Sequence, residues 1–320
     1  MSFGKKEFSI RPSQVTRTFG PGSIYDNQED SVIVMGLEYW TDKEKFKTIH
    51  DELLMMSIAT NKRTANVDTL VSTSSFVDHE DKGQIPIRSF PTWGFCPKCS
   101  KLVNERSGPA KGMECNSMEC EKDKKEKNIP LPKTYPVRFV IACKNGHLDD
   151  FPWYAWIHTN DAEREACGEK DAKLYLIDEG GSISLESKKL VCRNPKCIAR
   201  PKTMNNSLTK NGLKGAGVIG CKKTRPWLGP RGTQTRCIDK KTNGPVQMRG
   251  IFKGATNMYF PMVQSAVTIP PFSDELSSLL SPSNLGPKIE RAFRIAKNPE
   301  QLLDKIDAII PLKEVDENAR

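Results

Sequence analysis

Apolar residues along this chain come in short runs, most of them too brief for a helix. Ser31-Val32-Ile33-Val34-Met35-Gly36 reads as a strand, and Tyr135 to Cys143 (YPVRFVIAC) reads as a buried one. Leu174-Tyr175-Leu176-Ile177 and Ser182-Ile183-Ser184-Leu185 flank Glu179-Gly180-Gly181, which predicts a hairpin because paired glycines suit tight turns. Asp149-Asp150-Phe151-Pro152-Trp153 predicts a helix start, with acids at the cap and proline in the first turn, running through Trp156 to His158. Phe19-Gly20-Pro21-Gly22-Ser23 is a turn, and the Ser/Thr-rich region 60–84 a surface loop. Val263–Ile269 fits strand or helix. Near the end, Ile289, Ala292, Phe293 and Ala296 share one helical face. After Asn298-Pro299, a second helix carries Leu302, Leu303, Ile306, Ile309 and Ile310.

The fold class read from the chain is α+β: mixed short-strand sheets and a C-terminal helical pair, with zinc-ribbon-like modules where its ten cysteines cluster between 96 and 237. Four stretches follow: an N-terminal α+β region over 1–95, a first zinc-binding part over 96–170, a β-rich basic zinc-bearing region over 171–270, and a helical segment over 271–320. The expected core includes Trp153, Trp156, Phe139, Val140 and Ile141.

Composition changes this picture in one respect. Of 320 residues, 37% are hydrophobic and 28% charged, a lean supply of core formers, while ten are cysteine. No run of about 18 apolar residues predicts a membrane span. Met1-Ser2-Phe3-Gly4-Lys5-Lys6-Glu7 does not open a secretory signal. The expected location is the cytoplasm, where thiols stay reduced, so the cysteines point to metal rather than to disulfides.

Spacing sorts the ligands into three sets. Cys96-x-x-Cys99 is a knuckle, and fifteen residues separate it from Cys115, with Cys120 close behind. Cys192 and Cys197 form a wider pair, joined with Cys221 and Cys237. Cys143, His147, His158 and Cys167 make a Cys₂His₂ set by proximity along the chain. Each set offers four protein ligands, the closed arrangement of structural zinc, so two to three zinc ions are expected. An open position in the last set, with Asp149 and Asp150 nearby, would instead suit a zinc-dependent hydrolase or nuclease.

Charge is concentrated. Between Lys188 and Lys241 there are fifteen Lys or Arg and one acid, Asp239, whereas the whole chain carries +10. A basic region on zinc-pinned loops suits phosphate contacts. The candidate nucleic-acid residues are Lys188, Lys189, Arg193, Lys196, Lys222, Lys223, Arg225, Trp227, Arg231 and Arg236, with Arg225-Pro226-Trp227 placing a cation beside an aromatic ring that could stack on a base. Lysines that merely neutralise zinc–thiolate charge are the alternative. Lys122, Lys124, Lys125 and Lys127 interleave with acids and read as solvated. Gly215-Ala216-Gly217-Val218-Ile219-Gly220 matches a dinucleotide fingerprint but lacks the strand before it and the helix after it. P-loop, metalloprotease and zinc-deaminase motifs are absent.

Several motifs, taken in order, carry a resemblance. They are Arg11-Pro12-Ser13-Gln14, Phe19 to Asp26 (FGPGSIYD), Phe95-Cys96-Pro97-Lys98-Cys99, Ala142 to Trp153 (ACKNGHLDDFPW), Arg225-Pro226-Trp227-Leu228-Gly229 and Asn257-Met258-Tyr259-Phe260-Pro261. Over residues 8–270 the chain resembles the N-terminal half of the DrmB family, accessory components of the DISARM anti-phage system. The resemblance implies a DNA-binding complex with a SNF2-type helicase-like ATPase, DrmA, and no active site in the DrmB-like chain. Such proteins continue well beyond this length, so the chain is expected to be a fragment, a split subunit or a shortened homologue. The expectation is a DNA-binding, non-catalytic helicase partner with no membrane contact and no small-molecule substrate. A scaffold without DNA affinity is the main alternative, and a hydrolase the lesser one.

Overall fold

The computed structural model describes residues 18–26, 30–40, 48–61, 64–71, 85–104, 114–180, 184–218, 220–232, 236–256, 258 and 259, with isolated positions at 14 and between 288 and 301. Two compact units divide the chain, one of 1–50 with 69–263 and one of 51–68 with 264–320. In the second unit, helix Glu52–Thr60 is capped by Asp51, whose carboxylate accepts from Leu54 N at 2.8 Å. The helical pair expected after Pro287 and the run Val263–Ile269 lie essentially outside the described residues, where only scattered positions such as Arg291 and Ala292 are seen as helical.

The first unit is built from small antiparallel sheets rather than one large one. At its centre, strand Phe139–Cys143 pairs on one side with Leu148–Asp150 and on the other with Met248–Phe252. Side chains alternate across a strand, so this sheet has two different faces. Val140, Leu148 and Ile251 turn to one face and pack with Ile33 and Phe90. Phe139, Ile141 and Met248 turn to the other and pack with Phe151, Trp153, Trp156 and Leu190. There the aromatics interlock, with ring centroids 4.7 Å apart for Phe151 and Trp153 and 5.7 Å for Phe139 and Trp153. Burying a side chain of this kind contributes about 1.5–3 kcal/mol, which makes the cluster the main apolar stabiliser of a lean core. All five expected core residues are buried. Gly250 sits on the second face because a Cβ there would come within 2.2 Å of Ser207 O.

Three other sheets surround this one: Ile24–Asp26 with Ser31–Val34 and Ile87–Ser89; Leu102–Asn104 with Trp93–Phe95 and Tyr135–Pro136; and Leu174–Asp178 with Lys188–Cys192 and Lys202–Thr203. Thr48–Ile49 and Leu70–Val71 form a small two-stranded pair. The turn at 19–23 is present, with Gly22 at φ 87°.

Three expectations are corrected. The run YPVRFVIAC breaks at Val137-Arg138 and serves two sheets. Asp149 and Asp150 belong to a strand, not to a helix cap. Their backbone pairs with Ile141 and Val140, and the helix begins later, over Trp153–Ile157. The hairpin returns at Lys188, not at Ser182. Leu190 supplies a fully buried side chain opposite Leu176, and Lys188 meets Asp178 across the pair.

Candidate metal centres

The first cluster forms where the hairpin joining Trp93–Phe95 to Leu102–Asn104 meets helix Met118–Lys127. Cys96 N donates to Lys101 O at 2.9 Å, closing the knuckle, and Ser100 takes φ 63° inside it. Ser117 caps the helix, its Oγ accepting from Cys120 N at 3.1 Å. Cys120 therefore sits in the first helical turn, where the backbone dipole favours negative charge. The Ser117 hydroxyl also lies 3.2 Å from Cys99 Sγ and 3.4 Å from Cys115 Sγ. Sulfur pairs stand 3.5 Å (Cys99–Cys115) and 3.9 Å (Cys96–Cys120) apart. Thiolates about 2.3 Å from one ion at tetrahedral angles would be about 3.8 Å apart. Tyr175 packs over this cluster, and Arg193 stacks on its ring at 4.4 Å.

The second cluster is Cys143, His147, Cys221 and Cys237. The turn between the two central strands holds the first pair: Cys143 N donates to His147 O at 3.0 Å, and Gly146 takes φ 79°. His147 Nδ1 faces Cys143 Sγ at 3.3 Å. On the other side, Cys221 O accepts from Cys237 N at 3.0 Å, and Cys237 O accepts from Val246 N at 2.8 Å. N–H groups point at the sulfurs, from Asn145 N to Cys143 (3.4 Å), Lys223 N to Cys221 (3.3 Å) and Asn145 Nδ2 to Cys237 (3.1 Å). Burial, helped by the nearby Arg225 and Lys223 cations, lowers the His147 pKa and favours the neutral, ligating imidazole.

The third cluster is His158, Cys167, Cys192 and Cys197. His158 ends helix Trp153–Ile157, with Nδ1 3.0 Å from Tyr154 O and Nε2 3.3 Å from Cys197 Sγ. A carbonyl on one ring nitrogen fixes the tautomer and leaves the other to ligate. Cys167 caps helix Asp161–Ala166, and Cys192 ends strand Lys188–Cys192; their sulfurs are 3.8 Å apart. Asn194 Nδ2 donates to Cys167 Sγ at 3.4 Å.

Within each cluster the ligand atoms lie within 4.8 Å of one another, so all three could hold a metal ion. None of the ten cysteines is in a disulfide. Burial among like groups pushes the Cys115 thiol up to about 11 and Cys167 and Cys221 up to about 12. Burial would raise Cys99 too, but hydrogen bonds led by Ser117 bring it below the usual thiol value. Cys115, Cys167 and Cys221 would thus be thiols at neutral pH unless a cation replaced their protons.

The twelve candidate ligands read from the sequence are the twelve residues gathered in these clusters, but only the first set keeps its membership. The grouping of Cys143, His147, His158 and Cys167, and that of Cys192, Cys197, Cys221 and Cys237, are both corrected. Pairing of Phe139–Cys143 with Met248–Phe252 brings the 221–246 segment to Cys143 and His147. Pairing of Leu174–Asp178 with Lys188–Cys192 carries Cys192 and Cys197 to His158 and Cys167. The residues near the sulfurs that sequence reasoning passed over are Ser117, Asn145 and Asn194, each beside or between ligands in short turns. Asp149 and Asp150 are occupied: Thr224 Oγ1 donates to Asp149 at 3.0 Å, and Thr92 N and Oγ1 donate to Asp150 at 2.7 and 2.6 Å.

The basic candidates divide. Lys188 pairs with Asp178, Lys189 with Glu179, and Arg193 stacks on Tyr175. Trp227 is half-buried against the Ile33–Phe90 core, and its ring lies 3.3 Å from where a Cβ on Gly22 would stand. Lys223 is also held by neighbours. Lys196, Lys222, Arg225 and Arg236 are exposed with no ion pair among the described residues, and the Arg231 side chain lies outside them. Gly215-Ala216-Gly217-Val218-Ile219-Gly220 follows a helix, Lys210–Gly215, instead of a strand.

Residues 11–260 match the family model described as "Domain of unknown function (DUF8724)". The chain belongs to this family. The DrmB relationship read from the motifs also holds. The DISARM protein DrmB of Bacillus paralicheniformis is 28% identical over 262 residues, which cover 79% of this chain and 39% of that relative. The chain thus spans well under half the length of the curated relative it matches. No helix among the described residues is long and apolar enough to cross a membrane.

Proposed function

We propose that this chain is a zinc-stapled, DNA-binding accessory subunit of a DISARM-type anti-phage system. It acts in the cytoplasm beside a SNF2-like helicase of the DrmA type and has no active site of its own. The observation that carries the reading is that each of the three clusters has four protein ligands. Closed sites of this kind, with Cys₄ and Cys₃His donor sets, suit zinc and support a fold without leaving a position for substrate. Zinc would be held by Cys96, Cys99, Cys115 and Cys120, by Cys143, His147, Cys221 and Cys237, and by His158, Cys167, Cys192 and Cys197. The loops fixed in this way carry Lys196, Lys222, Arg225 and Arg236, cations positioned for phosphates. The relative's name supports the defence setting.

The test is fluorescence anisotropy of labelled DNA with the purified chain across a salt series. Affinity should fall steeply as salt rises. Replacing Lys196, Lys222, Arg225 and Arg236 together by Ala should flatten the log–log slope by about 3–4, the release expected when four phosphate contacts to duplex are lost. Unchanged binding after that replacement would remove this surface from the reading. Affinity capture from the native host should bring down a helicase-like ATPase.

A second reading has specific support. The internal pairing of Lys188, Lys189 and Arg193 favours a scaffold whose cations serve the fold. It requires a chain that binds its protein partner and no DNA.

A further inference from the structure

Most of the charged candidates read from the sequence lie along loops, yet a basic concavity brings other cations together beside Trp227. A cavity of about 590 Å³ opens on the Val140–Leu148–Ile251 side of the central sheet, between the turn at Pro21-Gly22, the Cys143–His147 knuckle and Met258-Tyr259. That volume is within the usual range for small-ligand sites.

Its lining is chemically one-sided. Lys144, Lys210 and Arg249 line it, and among the described residues no acidic one does. Lys144 is already paired with Asp239, whereas Lys210 and Arg249 are exposed and have no ion pair among the described residues. Two aromatic side chains, Trp227 and Tyr259, line the same space. Gln247 lines it too, and its buried Oε1 has no hydrogen-bond partner among the described residues. A buried acceptor left unmatched is costly, so its presence calls for a donor.

Cations for a phosphate, rings for stacking and a buried acceptor for an N–H edge together describe one unpaired nucleotide. A base inside a duplex has its edge and faces occupied and could not offer them to these groups. The positions of the groups follow from the fold. Arg249 stands opposite Ala142 in the sheet register, and Lys210 opens helix Lys210–Gly215. Gly22, at φ 87°, leaves room for the Trp227 ring.

We infer that this cavity is a subsite for one unpaired nucleotide of a single DNA strand, with Lys210 and Arg249 on the phosphate and Trp227, Tyr259 and Gln247 on the base. It rests on the DNA-binding reading above and specifies which form of DNA this face accepts.

The experiment compares an oligo-dT strand and a duplex, each fluorescently labelled, against the full chain and a Lys210→Ala/Arg249→Ala variant. A Lys124→Ala/Lys125→Ala pair on the exposed side of helix Met118–Lys127 is the control. Zinc content and circular dichroism establish that each variant is folded. The pocket variant should lose about tenfold in single-strand affinity, with a salt slope shallower by about 1.4, as two lost phosphate contacts on a single strand require. Duplex affinity should change much less, and the control pair should match the parent chain. In parallel, a strand carrying 5-bromodeoxyuridine is irradiated on the unmodified chain, and the cross-linked peptide should contain Trp227 or Tyr259. If the unmodified chain binds single strands but the pocket variant binds equally well, or cross-links map elsewhere only, the subsite is refuted and the broader DNA-binding reading survives. Absence of binding to either DNA would overturn both.

Discussion

The first cluster and the other two solve the same problem at different range. Cys96, Cys99, Cys115 and Cys120 lie within 25 residues, in one hairpin and the helix after it. Cys143, His147, Cys221 and Cys237 span 95 residues and gather at one end of the central sheet, where Cys143 stands opposite Met248. Loop closure alone separates them little, since each doubling of loop length costs only about 0.6 kcal/mol. What differs is what the ion would tie. The first would hold a local module sealed by Tyr175, and the second would hold strands that carry the main core. Staples of similar chemistry should therefore have unequal reach.

Metal withdrawal is the largest expected perturbation. Elemental analysis should find three zinc ions per chain. A strong chelator should abolish the near-ultraviolet dichroism of the aromatic core, because structural zinc supplies about 10–16 kcal/mol even in small peptides. Unchanged melting after complete metal removal would end the staple interpretation.

Single ligand changes then sharpen the contrast. Cys221→Ser should raise hydrogen exchange in both 139–143 and 248–252, while Cys99→Ser should raise it mainly in 94–104 and 114–127. Equal spread in the two variants would show that range does not matter. Phe151→Ala, which opens the aromatic cluster without touching a ligand, should cost about 3–5 kcal/mol by urea midpoint and leave zinc stoichiometry intact. Asn145→Ala and Asn194→Ala remove donors to Cys237 and Cys167, and each should weaken metal affinity about 10–100-fold in a competition titration. Smallest is Ser117→Ala, a lost helix cap of about 1 kcal/mol, seen as reduced melting confined to the first module.

The short strands at 31–34 and 139–143 and the buried tryptophans were legible because hydrophobic runs report burial directly. Asp149-Asp150 was misleading for a physical reason. Acid followed by proline looks like a helix entry, but these carboxylates accept from Thr224 and Thr92, partners 75 and 58 residues away. The return strand at Lys188 was similarly hidden, since its pairing depends on Leu190 reaching a core that no local window contains. Arg249 and Lys210 drew no notice because neither lies in a motif; only the sheet register and the helix start bring them to one cavity.

By itself the sequence determined the chemistry. Twelve Cys and His residues, spaced as knuckles and turns, are suited to metal whatever the fold, because a close pair of ligands needs only a local bend. Which four meet at each centre was decided by tertiary structure. Proximity along the chain joins His158 to Cys143, but antiparallel pairing of distant strands overrides it, since burying a continuous apolar face outweighs the small entropy saved by closing a shorter loop.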